Sequence, residues 1–348
     1  MSSSGTIDHK CPNCAATLNF NPSTQNWQCE FCKSVFNKEQ LSEYTSKDLT
    51  KNSEKNKLDM DVYTCTNCGA QIIADENTSA TFCIYCKNTA ILRNKLIGEF
   101  NPDKIIPFSK TREDAIKKFT ELGKGKPLAP KEFTNKNNIH EIKGVYIPFW
   151  LYDYDVHGKI NANGVRETSW ATSNYQYTKT YIYSIDNEAN MSFYKIPVDG
   201  SLRLDNHIMN SIEPYDYKAL EDFNYSYFSG FYAEKYDVDS NTAQYDALKR
   251  AYASATEKLS GISSFTNYSV NSTDHKAMLK KCEYVLLPVW LLNIKYKDKL
   301  YTFAMNGQTG KMIGNIPTDR KKVILYSIII FISLVTILSL LWCIIIGG

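Results

Sequence analysis

The sequence lacks a strong net charge of either sign. It holds 40 lysines and arginines against 37 acidic residues in 348 positions, for a formal net charge of +3. Without a basic excess, bulk electrostatics do not draw the chain to nucleic acid or to an anionic surface. Apolar residues make up 43% of the chain and charged residues 22%, which excludes a globally disordered protein.

The sequence also lacks a recognisable catalytic set. Its five histidines do not pair with one another, or with Cys or Glu, at the spacing of ligands on a helix. Asp153, Asp155 and His157 follow an apolar run and could share one face of a strand. We interpret them as a solvent-facing strand end, because no second element of a mechanism accompanies them. The sequence therefore predicts a protein that is not an enzyme, with a hydrolase as the least favoured alternative.

The sequence also gives no reason to expect a secretory leader. The first five residues, Met-Ser-Ser-Ser-Gly, are polar, whereas a secretory signal peptide needs an apolar core. We therefore expect the thiols to lie in a reducing compartment, where disulfides are rare. This expectation matters because the chain has ten cysteines, eight of them within the first 86 residues.

Those eight cysteines form two clusters of the same form, CxxC-x14-CxxC, in which each cysteine recurs 54 positions later. Two residues between cysteines make a tight knuckle, and a 14-residue excursion brings a second knuckle opposite the first. Four thiolates then close a tetrahedral structural zinc site. The sequence predicts two structural Zn²⁺ ions, with disulfides and a redox pair as alternatives. The predicted ligands are Cys11, Cys14, Cys29, Cys32, Cys65, Cys68, Cys83 and Cys86.

The domain organisation follows from composition. The segment 41–62 is rich in charged and small polar residues, so it is predicted to be a solvated linker that leaves the two ribbons free to take independent orientations. The predicted units are a first zinc ribbon at 1–40, the linker at 41–62, a second ribbon at 63–95, a duplicated α+β domain at 96–317 and a transmembrane helix at 323–346.

Two helices are predicted in the central region. The first is expected over 111–122, where Thr111 and Asp114 fit a capping box and Gly123 ends the apolar periodicity. The second is expected over 241–259, with Leu248, Ala251, Tyr252, Ala255 and Leu259 on its apolar face and Gly261 as the stop.

Each predicted helix precedes a strand with the pattern V-x-[IL]-P-x-W-L. The two copies cover 145–152 and 285–292, at an offset of 140, and they indicate a second duplication. Proline inside each run suggests an edge strand or a bulge. Further strands are expected at 175–185, where Tyr175, Tyr177, Tyr181 and Tyr183 share one face, at 191–197 and at 300–306, followed by a hairpin turn at 306–311. The expected fold class is α+β.

The segment 323–346 contains 24 consecutive residues without a charge. A helix of that length rises about 36 Å, which is enough to cross a bilayer core. Three basic residues, Arg320, Lys321 and Lys322, stand before it, and only two glycines follow. The positive-inside rule then predicts a tail-anchored, single-pass protein of the cell membrane with its N-terminal region in the cytoplasm.

Nucleic-acid binding is the main rival interpretation of the ribbons. Residues 1–40 carry three basic and three acidic side chains, and residues 63–95 carry three basic and two acidic ones. A module that binds nucleic acid normally concentrates basic residues to neutralise phosphates. We therefore expect the ribbons to bind proteins rather than nucleic acid, and we keep a membrane-tethered, replication-related protein as the alternative.

Several motifs together resemble one family. They are the double cysteine pattern, the I-P-F-W-L strand, the segments 196–200 (IPVDG), 230–236 (GFYAEKY) and 305–311 (MNGQTGK), and the terminal apolar helix. They are similar to the TFIIB-type zinc-ribbon-containing, C-terminally membrane-anchored proteins of low-GC Gram-positive bacteria.

The resemblance implies a cellular role but no catalytic activity. Some members of that family are encoded beside envelope-stress proteins, namely a phage-shock-protein-A type coat protein and an SPFH-domain protein of the virion-core-like kind. Membership would imply a non-enzymatic adaptor that docks such cytoplasmic proteins at the membrane. The eight cysteines are the site residues that carry over.

Overall fold

The computed structural model describes most of the chain. The described residues are 11–16, 18–41, 61–65, 68–74, 83–85, 91–95, 102–133, 136–139, 141–261 and 264–346. Most of the predicted linker, 42–60, and the predicted ligand Cys86 lie outside them.

Strands dominate the described residues. They are β1 (Leu18–Asn21), β2 (Asn26–Cys29), β3 (Val35–Phe36), β4 (Asp61–Cys65), β5 (Gln71–Ala74), β6 (Ile91–Lys95), β7 (Lys104–Ile105), β8 (Lys143–Ala171), β9 (Gln176–Asp199), β10 (Glu221–Asp222), β11 (Tyr232–Glu234), β12 (Asn267–Tyr296), β13 (Lys299–Asn306) and β14 (Met312–Gly314).

Five α-helices and three single turns of 3₁₀-helix have both ends within the described residues, and residues 38–41 are helical as well. The α-helices are α1 (Arg112–Lys124), α2 (Lys136–Ile139), α3 (Asn206–Ile212), α4 (Ser240–Ser260) and α5 (Arg320–Ile346). The 3₁₀ turns are Lys131–Phe133, Tyr217–Ala219 and Tyr225–Phe228. The mixed α+β class expected from the sequence is confirmed.

Two sheets organise the strands. The small one has the order β1-β2-β3. In the large one, β10, β7, β12, β8, β11, β5, β4 and β6 follow one another as hydrogen-bonded neighbours, while β9 pairs with β8, and β13 pairs with β12 and β14. Because β4, β5 and β6 belong to the large sheet, the second cysteine cluster is built onto the same sheet as the central region.

The predicted helices are present, with one boundary corrected. Helix α1 begins after Thr111, whose side chain accepts from the Asp114 amide in a capping box. Gly123 was expected to end the helix, but it lies inside α1 on the buried face with Ala115 and Phe119, and Gly125 is the cap. Ala115, Phe119 and Gly123 are four residues apart, so they fall on the same face of the helix. A glycine on that buried face packs against the body without ending the helix.

Helix α4 packs closely on the large sheet. Its buried face carries an alanine at every fourth position, and Gly261 caps it in the left-handed region with φ 58°. Small side chains let the helix axis approach the strands, so Leu248 and Tyr252 of the expected apolar face lie at its half-buried flank. The stripe consists of Ala243, Ala247, Ala251, Ala255 and Leu259.

The two strands with the P-x-W pattern pair with each other. In the antiparallel register of β8 and β12, Ile147 lies opposite Leu287, and Pro148 lies opposite Leu286. Ile147 and Leu287 are equivalent positions of the two copies, so a local twofold axis relates the two segments. The duplication as an evolutionary origin stays a prediction.

The expectation that proline marks an edge or a bulge is wrong here. Pro148 and Pro288 are buried in interior strands, and the register shifts lie elsewhere. Each proline stands where one flank of its strand changes neighbour: from β11 to β9 at Pro148, and from β7 to β13 at Pro288. Because no ladder occupies that flank at the junction, the missing amide hydrogen costs no hydrogen bond.

The two tryptophans of the repeated pattern make equivalent contacts. The Trp150 Nε1–H donates to the carbonyl of Val238 at 2.9 Å, and the Trp290 Nε1–H donates to the carbonyl of Lys110 at 2.9 Å. Val238 precedes Asp239, the N-cap of α4, and Lys110 precedes the N-cap of α1. Each tryptophan therefore fixes the start of the helix that belongs to the other copy.

Beyond the core, β8, β9 and β12 continue as a three-stranded extension. We call residues 157–190 and 267–276 the finger. Helix α4 covers one face of it as far as Leu259, which packs with Ile160, Ala162 and Ile185. Tyr177, Tyr181 and Tyr183 lie opposite Trp170, Arg166 and Gly164 of β8, so the predicted shared face is confirmed for these three tyrosines. Tyr175, the fourth, precedes the first residue of β9.

Candidate metal centres

The first cysteine cluster is built from two matching knuckles. The Ala15 amide donates to the Cys11 carbonyl at 2.8 Å, and the Lys33 amide donates to the Cys29 carbonyl at 3.0 Å. Ala15 and Lys33 both take positive φ angles, 59° and 62°, which turn the chain sharply after each CxxC pair. The hairpin of β1 and β2 between them places the knuckles face to face.

The four sulfurs of this cluster converge. The Sγ atoms of Cys11 and Cys32 are 3.4 Å apart, and those of Cys14 and Cys29 are 3.5 Å apart. All four lie within 4.8 Å of one another. With Zn–S bonds of about 2.3 Å, the edges of a tetrahedral site measure about 3.8 Å. The donor set therefore fits a four-coordinate metal ion with small adjustments.

The electrostatics of the cluster favour a cation. The hydrogen bond with the Ser34 side chain lowers the pKa of Cys32 to about 6. A backbone hydrogen bond from Ala16 acts to lower the pKa of Cys14, but desolvation and the neighbouring thiols raise it to about 12. Four thiolates cannot share so small a volume without a positive charge between them, and a bound divalent ion supplies that charge.

The second cluster repeats the geometry. Cys65, Cys68 and Cys83 bring their sulfurs together, with 3.7 Å between the last two. The Gly69 amide donates to the Cys65 carbonyl at 2.9 Å, and Gly69 has φ 70°, as Ala15 does in the first ribbon. Cys86, the fourth predicted ligand, lies outside the described residues. Three of its four predicted ligands are therefore positioned to hold a metal ion.

The first ribbon is packed against the body by aromatic side chains. The Trp27 Nε1–H donates to the carbonyl of Ser226 at 2.8 Å. The ring centroids of Phe20 and Trp27 are each 5.2 Å from that of Tyr227. The Gln25 side-chain Nε2–H donates to the carbonyl of Phe108 at 2.8 Å. The expectation of independently oriented ribbons is therefore wrong for the described residues.

The second ribbon is joined to the body through its backbone. Strand β5 pairs antiparallel with β11, with Ile72 opposite Glu234 and Ala74 opposite Tyr232. Strand β11 in turn pairs parallel with β8 at Val145 and Tyr146. The second cysteine cluster is thus joined to β8 through β5 and β11.

A polar network links the second centre to the body. The Arg203 guanidinium donates to the carbonyls of Cys68 and Gly69, at 2.8 and 3.1 Å. The Tyr85 hydroxyl donates to the Glu234 carboxyl at 2.5 Å, and the Ser201 hydroxyl donates to it at 2.9 Å. Burial raises the pKa of Glu234 to about 7.

Sequence analysis missed this network. Arg203 lies 135 positions from Cys68, and Glu234 lies 149 positions from Tyr85. Partners so distant along the chain leave no local pattern to detect.

The acidic and histidine side chains singled out in the sequence do share one face of β8. Each has a lateral partner, however. Asp153 accepts from the Lys195 amide at 2.7 Å, and Asp155 accepts from the Ser192 hydroxyl at 2.7 Å. The His157 Nδ1 lies 3.0 Å from the Asn190 side-chain oxygen. The three groups are spread along the strand rather than aimed at a common point.

The C-terminal helix α5 is 27 residues long. It is apolar enough over 320–339 to span a membrane, and none of that window is buried against the body. The Asp319 amide donates to the Leu128 carbonyl at 2.8 Å, and the Lys322 ammonium donates to the Ala129 carbonyl at 2.6 Å. The start of the helix is therefore tied directly to the loop after α1.

The described residues thus form a β-rich protein with two cysteine clusters positioned to hold metal ions and one helix long and apolar enough to cross a membrane. No family model matches the chain, and no solved structure matches it. The chain is 33% identical over 326 residues to the uncharacterized protein YdjG of Bacillus subtilis (strain 168), a match that covers 91% of this chain and 92% of that protein. The chain belongs to the family of that protein.

Proposed function

We propose that this protein is a non-enzymatic, tail-anchored adaptor that docks cytoplasmic proteins at the cell membrane. It crosses the bilayer once through α5 and keeps its N-terminal region in the cytoplasm. Two structural Zn²⁺ ions hold the ribbons in shape. The partners are cytoplasmic or membrane proteins, and the resemblance favours those of the SPFH or phage-shock-protein-A type.

The observation that carries the proposal is the short connection between the body and α5. Strand β14 ends at Gly314 and α5 begins at Arg320. Ile316, between them, is only 4% exposed, and Asp319 and Lys322 bond to the loop after α1. A body held this close to a membrane-crossing helix presents its surfaces at a defined height above the bilayer, as docking requires.

The charges at the start of α5 support the orientation. Arg320, Lys321 and Lys322 stand at its N-terminal end, and cytoplasmic flanks carry such an excess. Two four-thiolate centres also need a reducing compartment to remain unoxidised. A cysteine introduced at exposed Ser169 should therefore resist a membrane-impermeant maleimide in intact cells and react after lysis. Labelling of intact cells would overturn the orientation.

Four thiolates suit zinc, and they also suit iron. Elemental analysis of the purified full-length protein should give two zinc ions per chain. One ion per chain, or iron as the native metal, would contradict the proposed cofactor.

The adaptor role is tested on native membranes. Membranes from cells that express the full-length chain should retain peripheral proteins that membranes from deletion cells lose. Identical sets of peripheral proteins would overturn the proposal.

The nucleic-acid alternative has its own test. The full-length protein in detergent should bind duplex and single-stranded DNA weakly, and binding should vanish at moderate salt because few phosphate contacts form. Sub-micromolar affinity that survives physiological salt would favour the replication-related alternative over the adaptor.

A further inference from the structure

Beyond Phe265, which packs over Gly164 and Tyr183, the finger carries an exposed face that continues the face packed by α4. Helix α4 ends at Ser260, while β8 and β9 run on to Ala171 and Gln176. In the register of these strands, side chains on the α4 side beyond Gly164 stand on the same face as Ile160 and Ala162. We call the aromatic and basic members of this set the finger face: Arg166, Trp170, Tyr177, Lys179, Tyr181 and Tyr183.

The finger face is aromatic and remains exposed. Trp170 is 50% exposed and stacks on Tyr177, with 5.6 Å between ring centroids and 14° between planes. Tyr181 and Tyr183 are 39% and 38% exposed. Exposed Trp and Tyr on a rigid strand pair offer a large contact area at little cost in side-chain entropy, as binding surfaces do.

The finger face is also cationic. The Lys179 ammonium lies 4.6 Å from the Tyr181 ring centroid, and the Arg166 guanidinium lies 5.7 Å from that of Tyr183. The Arg166 guanidinium also donates from Nε and Nη2 to the Ser264 carbonyl, at 3.1 and 3.0 Å, which holds its exposed edge in place. The described strand positions of this face over 166–170 and 177–183 carry no carboxylate. Glu167, the nearest acidic residue in β8, points to the opposite face. A partner for this face therefore needs negative charge.

The position of the finger argues against the bilayer as its partner. The start of α5 lies near the turn after β12, where Asp319 and Arg320 interact electrostatically with Lys297. Strand β12 runs 30 residues from the finger to that turn. At roughly 3.3 Å per residue the finger end lies about 95 Å away along the strand. The finger face thus sits at the end of the sheet opposite the membrane anchor.

We propose that the finger face binds an acidic amphipathic helix of a cytoplasmic partner. This inference rests on the proposed adaptor function and names the chemistry of its docking site. A helix fits because α4 already covers the same face further down. Arg166 and Lys179 are diagonal neighbours across the strand pair, about 7–8 Å apart at Cα. Two carboxylates one helical turn apart, about 6 Å along the axis, reach both cations.

The first experiment uses two synthetic helical peptides with the same Leu/Ala stripe. One carries Glu and the other carries Lys at the flanking positions. The full-length protein in detergent should bind the Glu peptide at least tenfold more tightly in fluorescence anisotropy. The double variant Arg166→Glu/Lys179→Glu should reverse that preference, and Lys179→Glu alone should reduce it.

A matched control lies on the other face of the finger. Lys276 is exposed and stands opposite His157, on the polar side of β8. Lys276→Glu makes the same reversal of charge in the same extension as Lys179→Glu, so it should leave binding of the Glu peptide within twofold. Equal affinity for both peptides, or an equal loss in Lys276→Glu, would overturn the proposal.

The second experiment identifies the occupant in cells. A benzophenone amino acid at Tyr181 of the full-length chain should cross-link an acidic, amphipathic helical peptide, identified by mass spectrometry, whereas one at Asn163 on the opposite face should not. Cross-links to lipid or to a second copy, or none at all, would overturn the proposal.

The two proposals fail in different ways. If Trp170→Ala/Tyr181→Ala membranes keep every peripheral protein that the wild-type chain retains, the adaptor function stands and the finger face is not its site. If deletion of the whole chain changes nothing, the adaptor function fails. In that case the measured preference for the Glu peptide over the Lys peptide alone decides whether the finger face binds acidic helices.

Discussion

The two ribbons carry the same cysteine pattern but join the body in different ways. The first has its own three-stranded sheet and touches the body through side chains such as Trp27 and Gln25. The second contributes β5 to the large sheet and pairs with β11 through backbone hydrogen bonds. A metal ion in the first cluster would stabilise an attached module, whereas one in the second would stabilise a part of the sheet itself. This difference predicts unequal consequences when either centre is damaged.

Cys65→Ser should have the largest effect. Loss of the second metal frees β4 and β5, so β11 loses its antiparallel neighbour and the large sheet is exposed at that edge. We expect a loss of about 5 kcal/mol or more and a fall in Tm of roughly 10–20 °C, because metal binding in such sites is folding free energy. Thermal unfolding of the detergent-solubilised protein measures it.

Cys282→Ser is the control for that substitution. Cys282 is half-buried on β12 and lies outside both clusters. The same chemical change there should cost no more than about 1 kcal/mol and leave both metal ions bound. A comparable loss in both variants would mean that the second centre does not support the sheet.

Cys29→Ser should have a smaller, local effect. The first centre would lose its ion and Trp27 would leave its contact with Ser226, while the large sheet keeps all its strands. We expect one metal ion per chain, a red-shifted tryptophan emission and a Tm within about 5 °C of wild type. Collapse of the whole body would erase the distinction between the two ribbons.

Arg203→Met should weaken the second centre alone. It removes two hydrogen bonds to the carbonyls of Cys68 and Gly69 and an ion pair with Asp237. We expect a cost of about 2–3 kcal/mol. Metal should leave the second site faster in a chelator competition, and the first site should be unaffected. Equal release from both sites would show that Arg203 does not act on the second ribbon.

The smallest expected effect is the change in the free energy of unfolding between pH 6 and pH 8. Burial raises the pKa of Glu234 at the second ribbon to about 7. The folded state then binds more protons than the unfolded state over this range, so stability falls as pH rises, by on the order of 1 kcal/mol. Glu234→Gln should flatten that slope in urea unfolding curves.

Glu221 at the first ribbon provides the contrast. Partial burial acts to raise its pKa, but hydrogen bonds from Lys38 and Tyr227 lower it. A carboxyl whose pKa is lowered by folding stabilises the folded state at any pH above its ordinary pKa. This stabilisation is lost only as the pH falls below that value, so Glu221 does not make stability depend on pH between 6 and 8. Glu221→Gln should therefore keep the wild-type slope. If Glu221→Gln instead flattened the dependence of stability on pH, Glu221 rather than Glu234 would be its source.

Local signals in the sequence predicted local structure. The spacing of the cysteines identifies both clusters because a knuckle is made by neighbouring residues, as the Cys11–Ala15 and Cys65–Gly69 bonds illustrate. The capping box at Thr111 and the glycine at 261 likewise predicted helix ends from adjacent residues. The apolar run before the C-terminus predicted α5 by length and composition alone.

Contacts between distant residues could not be predicted. The P-x-W pattern indicated two similar strands, but it did not reveal that they pair with each other or that a proline can stand at a change of neighbour. The contact of Trp27 with Ser226 and the bond of Arg203 with Cys68 join segments separated by 199 and 135 positions. Such contacts follow from the register of the whole sheet, which no short motif encodes.

The long pairing of β8 with β12 has a consequence for how members of this family can vary in length. Side chains alternate between faces with a period of two. Removing two residues from each finger strand would shorten the finger by about 7 Å and keep Trp170 on its face. Removing one residue from each would turn the same tryptophan to the polar side. The finger can therefore change in length without turning its aromatic face only by an even number of residues in each strand.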